Sequence, residues 1–249
     1  MIGSAMVYIG LLIAATGLTF VAKPIHALHV STRSQGLAIV GLGLLLTGIG
    51  LTLPIAESRL EKAETRLDEF FPVWQFSERH SIAIDAPPTA VFNAMKEVRA
   101  DEIFLYRTLT WIRRGGRPIP ESILNAGDRA SLIDAAVKGG FLELAEDSPR
   151  ELVIGTVLAA PAGAPRHITP AEFRTPLAPG YSLAALNFFV REEGPNKSVV
   201  TTETRVFANS PEARGRFARY WRVIYPGSAI IRRMWLRAVR RRAMNPAAR

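Results

Sequence analysis

Charge is absent from two long apolar stretches near the start of the chain, residues 1–22 and 34–56, and returns at Glu57. At about 1.5 Å per helical residue, each stretch is long enough to cross roughly 30 Å of hydrocarbon. A mixed pattern of apolar and polar positions follows to the end. The pattern predicts a two-helix transmembrane hairpin over 1–56, an amphipathic juxtamembrane linker over 57–78, and a domain over 79–249. A cleaved signal peptide is the weaker reading, because Thr16-Gly17-Leu18 is not a small-x-small cleavage site and a second apolar segment follows closely. Gly10 with Ala14, and Gly43 with Thr47, have the spacing of close helix contacts in membranes.

Within the linker, Leu60, Ala63, Leu67 and Phe71 recur at helical spacing among charged residues. The aromatic cluster Phe70, Phe71, Trp74 and Phe76 suits either a membrane interface or packing on the domain. His80 to Asp85 alternates like a strand, and Pro87-Pro88 opens a helix over 89–96. Residues 99–110 predict a short helix or a helix-to-strand turn, and Trp111 to Pro118 a polar loop. A helix over 131–137 is closed by Gly139 and Gly140.

Strand-like segments then dominate: 141–145, 151–158, one around Phe173, 183–191 and 198–208, with a turn at Gly194-Pro195-Asn196. The last element is a long helix. Ser210 caps it, Pro211 takes its first position, and Phe217, Tyr220, Trp221 and Ile224 recur at helical spacing. Pro226-Gly227 is expected to kink or interrupt it, with Ile231, Met234, Trp235, Ala238 and Val239 continuing the apolar face.

The order of these segments, with the words Asp85 to Phe92 at the start and Thr201 to Val206, Phe217 to Trp221 and Ile224 to Ser228 at the close, resembles a known group. It is the SRPBCC superfamily, the START or Bet v 1-like polyketide cyclase/dehydrase and lipid-transport proteins, and among them bacterial members with an N-terminal transmembrane hairpin. The resemblance implies an α+β helix-grip fold, a curved antiparallel sheet around a long C-terminal helix. It also implies a cavity between them that Tyr220, Trp221 and Tyr225 on the terminal helix would close. The superfamily is functionally diverse, so the resemblance bears on fold more than role.

Composition narrows the chemistry. The 249 residues carry a net charge of +9 and no cysteine, which excludes disulfides and thiolate-bound metal. Pro211 to Arg249 holds eleven arginines and one acid. Arg232, Arg233, Arg237, Arg240, Arg241 and Arg242 make a cationic surface that suits anionic headgroups better than nucleic acid on a tethered chain, or else a solvated face. The amine, Arg59, Lys62 and Arg66 on the domain side outnumber Lys23 and Arg33 in the loop. That places the domain in the cytoplasm, below a bacterial inner membrane.

Candidate ligand-contacting residues are Phe92, Tyr181, Phe188, Glu203, Arg205, Tyr220, Trp221 and Tyr225, with Phe104, Tyr106 and Trp111 as further aromatics for a pocket. Glu203 and Arg205 lie two apart on one strand and share a face, while Thr202 and Thr204 share the other. Either pair could line the cavity. His26 and His29, two histidines alone, do not make a metal site, and no cofactor or metal is expected. His80 and His167 are the histidines of the domain, and no HExxH, phosphate loop or GxGxxG occurs. Three functions remain open: binding of a hydrophobic small molecule or lipid, a cyclase- or dehydratase-like enzyme using cavity acid–base groups, and a structural role without ligand. Oligomeric state is not readable.

Overall fold

The computed structural model describes residues 2–25 and 29–245, so His26 lies outside the described residues. The chain divides into two compact units. One comprises the residues up to Ala56 together with Gly215–Pro226, and the other Glu57–Arg214 together with the chain from Gly227.

In the first unit, α1 (Ile2–Ala22) and α2 (Arg33–Thr52) pack along a seam of small residues. A Cβ on Gly10 would lie 2.6 Å from the Gly43 carbonyl oxygen, and one on Gly43 would lie 2.5 Å from the Ala14 nitrogen. Only glycine permits this approach. Thr32 caps α2 through the backbone N–H of Gln35, whose side chain reciprocates. Both helices have the length and hydropathy of membrane spans, with only 22% of each apolar window buried. A core helix of a water-soluble protein would be mostly covered. Leu11, Leu12, Leu18, Leu42, Leu44 and Leu45 instead face outward.

The second unit is built on a five-stranded antiparallel sheet of β3 (Phe76–Ile84), β4 (Leu142–Asp147), β5 (Glu151–Ala159), β6 (Ser182–Gly194) and β7 (Lys197–Ala208), in the order β3-β7-β6-β5-β4. Side chains alternate across it. Ile84, Leu152, Ile154, Leu186, Phe188, Val190 and Val200 point to one face. That face is covered by α4 (Pro88–Glu97), α6 (Leu132–Lys138) and the C-terminal part of α7 (Pro211–Met244). Val153, Leu183 and Ala185 point to the other face, covered by α3 (Arg66–Phe70) and the loop around Phe173. A five-stranded antiparallel sheet packed on a long C-terminal helix is an α+β architecture consistent with a helix grip.

Some expectations need correction. The helical spacing across 57–71 yields a helix only at α3, preceded by a two-residue strand, β1 (Ser58–Arg59), paired with β2 (Val73–Trp74). Phe70, Phe71 and Phe76 are buried in this unit rather than left for an interface. The segment around Phe173 is a 3₁₀ turn, Glu172–Arg174, and not a strand. Trp111 belongs to a helix, α5 (Tyr106–Arg113), and not to a polar loop. Helix α7 runs through Pro226 without interruption, since a single proline removes one backbone bond from a long helix.

Candidate functional site

The face of the sheet turned away from α7 carries a connected set of buried charges. Arg205 donates to Asp68 at 2.7 Å and to Glu203 at 2.6 Å, and its guanidinium lies 4.0 Å from the centre of the Trp74 ring. Asp68 also accepts from the backbone of Glu64 and Thr65, both at 2.8 Å. Burial works to raise its carboxyl, yet these N–H groups and Arg205 together hold it below the usual value. Glu151 accepts from Arg66 N at 2.7 Å, Leu67 N at 3.2 Å and Asn187 Nδ2 at 2.6 Å, and so ties the start of α3 to β5. Burial pushes the Glu151 carboxyl up despite these donors, and the nearby Asp68 charge adds to the rise. Every charge here has a protein partner, and the network fixes α3 on the sheet.

Beside this network the same face holds an apolar pocket of about 390 Å³. Its walls include Phe70, Phe71, Phe173, Tyr181, Leu183 and Phe207. The polar groups around it are already engaged. Tyr181 Oη donates to Pro165 O at 2.8 Å, Asn209 accepts from Gly180 N and Tyr181 N, and Arg174 pairs with Glu69 at 2.9 Å while lying 4.3 Å over the Phe70 ring. The volume is within the range that small-molecule sites occupy. Its chemistry suits a ligand held by shape and apolar contact.

The face under α7 is the opposite case. Phe188 and Trp235 meet edge to face at 4.8 Å among Phe92, Met95, Leu236 and Val239. Within this packed layer, Thr202 Oγ1, Arg232 Nη1 and Trp235 Nε1 are buried with no hydrogen-bond partner. Thr202 stands opposite both Phe188 and His80 in the sheet, and the Arg232 guanidinium is 5.4 Å from the Trp235 ring centre, so the three lie in one neighbourhood. Burial lowers the Arg232 pKa to about 10, opposed by the Glu78 carboxylate and reinforced by Arg113.

Glu78 accepts from Ser228 Oγ at 2.8 Å and bonds His80 Nε2 at 2.8 Å, while Arg233 Nε donates to His80 Nδ1 at 3.4 Å. The order is hydroxyl–carboxylate–imidazole, which is not the nucleophile–imidazole–carboxylate order of a hydrolytic triad.

The structure thus distributes the sequence-predicted ligand residues among separate places. Phe92 and Phe188 are core under α7. Tyr181 is in the pocket on the opposite face. Of the two alternatives, Glu203 and Arg205 turn to that opposite face, where they form ion pairs. Thr202 is the member of the alternative pair found buried under α7. Tyr220, Trp221 and Tyr225 belong to the first unit and stack in series with Phe217, at ring separations of 5.7–5.8 Å.

Of the tail arginines, Arg233, Arg237, Arg240 and Arg241 are exposed. Arg232 and Arg242 are not a free cationic surface: Arg232 is half-buried with its Nη1 covered, and Arg242 pairs with Glu102 at 2.9 Å and Glu97 at 3.0 Å. His167 is exposed. Among the described residues no group of three or more histidines and carboxylates is placed to hold a metal. Sequence reasoning missed Asp68, Glu151 and Asn187, whose partners lie dozens of positions away, and also the three unpartnered donors.

No family model and no curated protein matches this sequence. Solved structures give weak likenesses at low identity. TTHA0849 from Thermus thermophilus is 11% identical with a TM-score of 0.29, over 69% of this chain and 99% of that one. The Zhui aromatase/cyclase from Streptomyces sp. R1128 is 12% identical with a TM-score of 0.27, over 69% and 95%. Ara h 8.0201 is 12% identical with a TM-score of 0.17, over 64% and 97%.

Proposed function

We propose that this chain is a membrane-anchored binding protein that takes a hydrophobic small molecule or lipid into the pocket on the sheet face away from α7. The observation that carries the reading is the apolar pocket of about 390 Å³ walled by Phe70, Phe71, Phe173, Tyr181, Leu183 and Phe207, with its polar neighbours already bonded. Two helices of spanning length and hydropathy support the anchor. In this reading residues 1–56 are a hairpin in a bacterial inner membrane and the remainder is a cytoplasmic domain. The exposed Arg233, Arg237, Arg240 and Arg241 then meet anionic headgroups rather than nucleic acid.

Native mass spectrometry of the full chain, released gently from its own membrane, tests the reading. A recurring apolar ligand is expected, and Leu177→Trp, at the half-buried pocket wall, should remove it while the protein stays folded. A ligand retained unchanged by that variant would place binding elsewhere.

An enzymatic reading is favoured by one observation, the three unpartnered donors of Thr202, Arg232 and Trp235. In that case these groups, and not Glu203 and Arg205, would hold the oxygen of a substrate. Loss of any detected turnover in Arg232→Met, with Leu177→Trp fully active, would favour it over simple binding.

A further inference from the structure

Helix α5 is built with its polarity reversed. Tyr106 and Thr110 turn inward, where Tyr106 Oη donates to Ile123 O at 2.7 Å and Thr110 Oγ1 to Tyr106 O at 2.8 Å. Burial raises the Tyr106 hydroxyl to about 12, so it remains a donor at any physiological pH. The large apolar residues go outward instead: Phe104 is 67% exposed, Trp111 56% and Ile112 59%. Leu105, also exposed, opens the helix in the left-handed region at φ 61°, a conformation that a leucine rarely adopts. Single exposed apolar residues are ordinary, but four around one short helix are a patch.

Along this segment of the chain the charge has one sign. Residues 104–120 contain Arg107, Arg113, Arg114 and Arg117 and no acid. Arg107 pairs with Asp128, outside the segment. Beside Trp111 lies a cleft of about 380 Å³ with Arg107, Thr108, Arg114 and Asn125 in its walls. Arg114 is braced by Thr110 O at 3.4 Å and Arg117 O at 3.1 Å, so its guanidinium is held at the cleft. Exposed aromatic and aliphatic side chains next to guanidinium and hydroxyl donors match a bilayer interface, apolar rings at the acyl boundary and cations at the phosphates.

We infer that α5 and its flanks are a second membrane contact, in which Phe104, Trp111 and Ile112 enter the interface and the Arg107–Arg114 cleft takes the phosphate of an anionic phospholipid. This rests on the membrane-anchored reading, since the anchor is what keeps the domain beside a bilayer.

The chain has no cysteine, so single-cysteine labelling is unambiguous. Full-length Ile112→Cys and, separately, Leu12→Cys carry a nitroxide in nanodiscs of phosphatidylcholine with or without phosphatidylglycerol. Accessibility to oxygen is compared with accessibility to a water-soluble nickel complex. The label at 12 reports the span, and the label at 112 reports the contact. Position 112 should become oxygen-accessible and several-fold protected from nickel when phosphatidylglycerol is present. That gain should fall away in Arg107→Gln/Arg114→Gln, and excess inorganic phosphate should not reproduce it.

Water exposure at 112 in both lipids, with 12 immersed, overturns the contact and leaves the anchor standing. Water exposure at 12 overturns the anchor and this inference with it. A response at 112 to inorganic phosphate but not to phosphatidylglycerol overturns lipid docking in favour of a soluble anion.

Discussion

The two faces of the sheet are opposites. Under α7 the apolar packing is close, with Phe188 at 0% exposure against Trp235, yet three donors there lack partners. On the other face the charges of Asp68, Glu203, Arg205 and Glu151 are partnered, yet the apolar walls leave an opening of about 390 Å³. A closely packed layer with orphaned polar groups supplies stability at a local cost. A satisfied polar layer beside an apolar opening supplies rigidity and room. The apolar pocket lies on the face where the sheet does not meet its long helix.

Truncating one aromatic on each face tests the contrast most strongly. Phe188→Ala should cost about 4 kcal/mol, because a fully buried ring in a closed layer leaves a cavity. Phe207→Ala, at a half-buried pocket wall, should cost about 1 kcal/mol, and thermal unfolding in neutral micelles reads the difference. Equal losses would mean that the pocket wall is as tightly packed as the core. Asp68→Ala should cost about 3 kcal/mol by leaving Arg205 short of one buried partner.

Acid should separate the two carboxylates that hold α3. Glu151 has a raised pKa, so its burden is present at neutral pH and is relieved as pH falls through its folded value toward 4.5. Asp68 has a lowered pKa, so its contribution is present above 3.8 and is lost as pH falls through its folded value. Stability should therefore rise slightly on mild acidification and then fall, and Asp68→Asn should remove the fall attributable to this group. The smallest effect is expected at Thr202→Val. Removing an unpartnered buried hydroxyl should change stability by no more than about 1 kcal/mol, in the stabilising direction. A loss of several kcal/mol on unfolding would mean that the hydroxyl is bonded after all.

Much of the fold is legible in the chain because its signals are local. Ser210 accepts from Ala213 N at 3.2 Å, as its position before Pro211 predicts, and the apolar stretches become two helices of spanning length. The sharing of a face by Glu203 and Arg205 follows from strand periodicity alone. Which face they take does not. Val199 and Val200 are both apolar, as are Val206 and Phe207, so β7 has no alternation to mark an inside. The segment 57–71 misleads for a related reason. Its spacing suits a helix, but Leu60 N donates to Pro72 O and Phe71 meets Phe173 at 6.3 Å, partners that no local pattern announces. Trp111 and Phe104 look like pocket aromatics until Tyr106 and Thr110 are found to occupy the inner side of α5.

The most direct test of the account is photolabelling of the full-length chain in nanodiscs with a diazirine-bearing aliphatic alcohol, followed by peptide mapping. Labels on residues 70–73 and 173–177, lost in Leu177→Trp, are the predicted result. Labels on the peptides of Phe92, Phe188 or Trp235 instead, or none in the second unit, would contradict it.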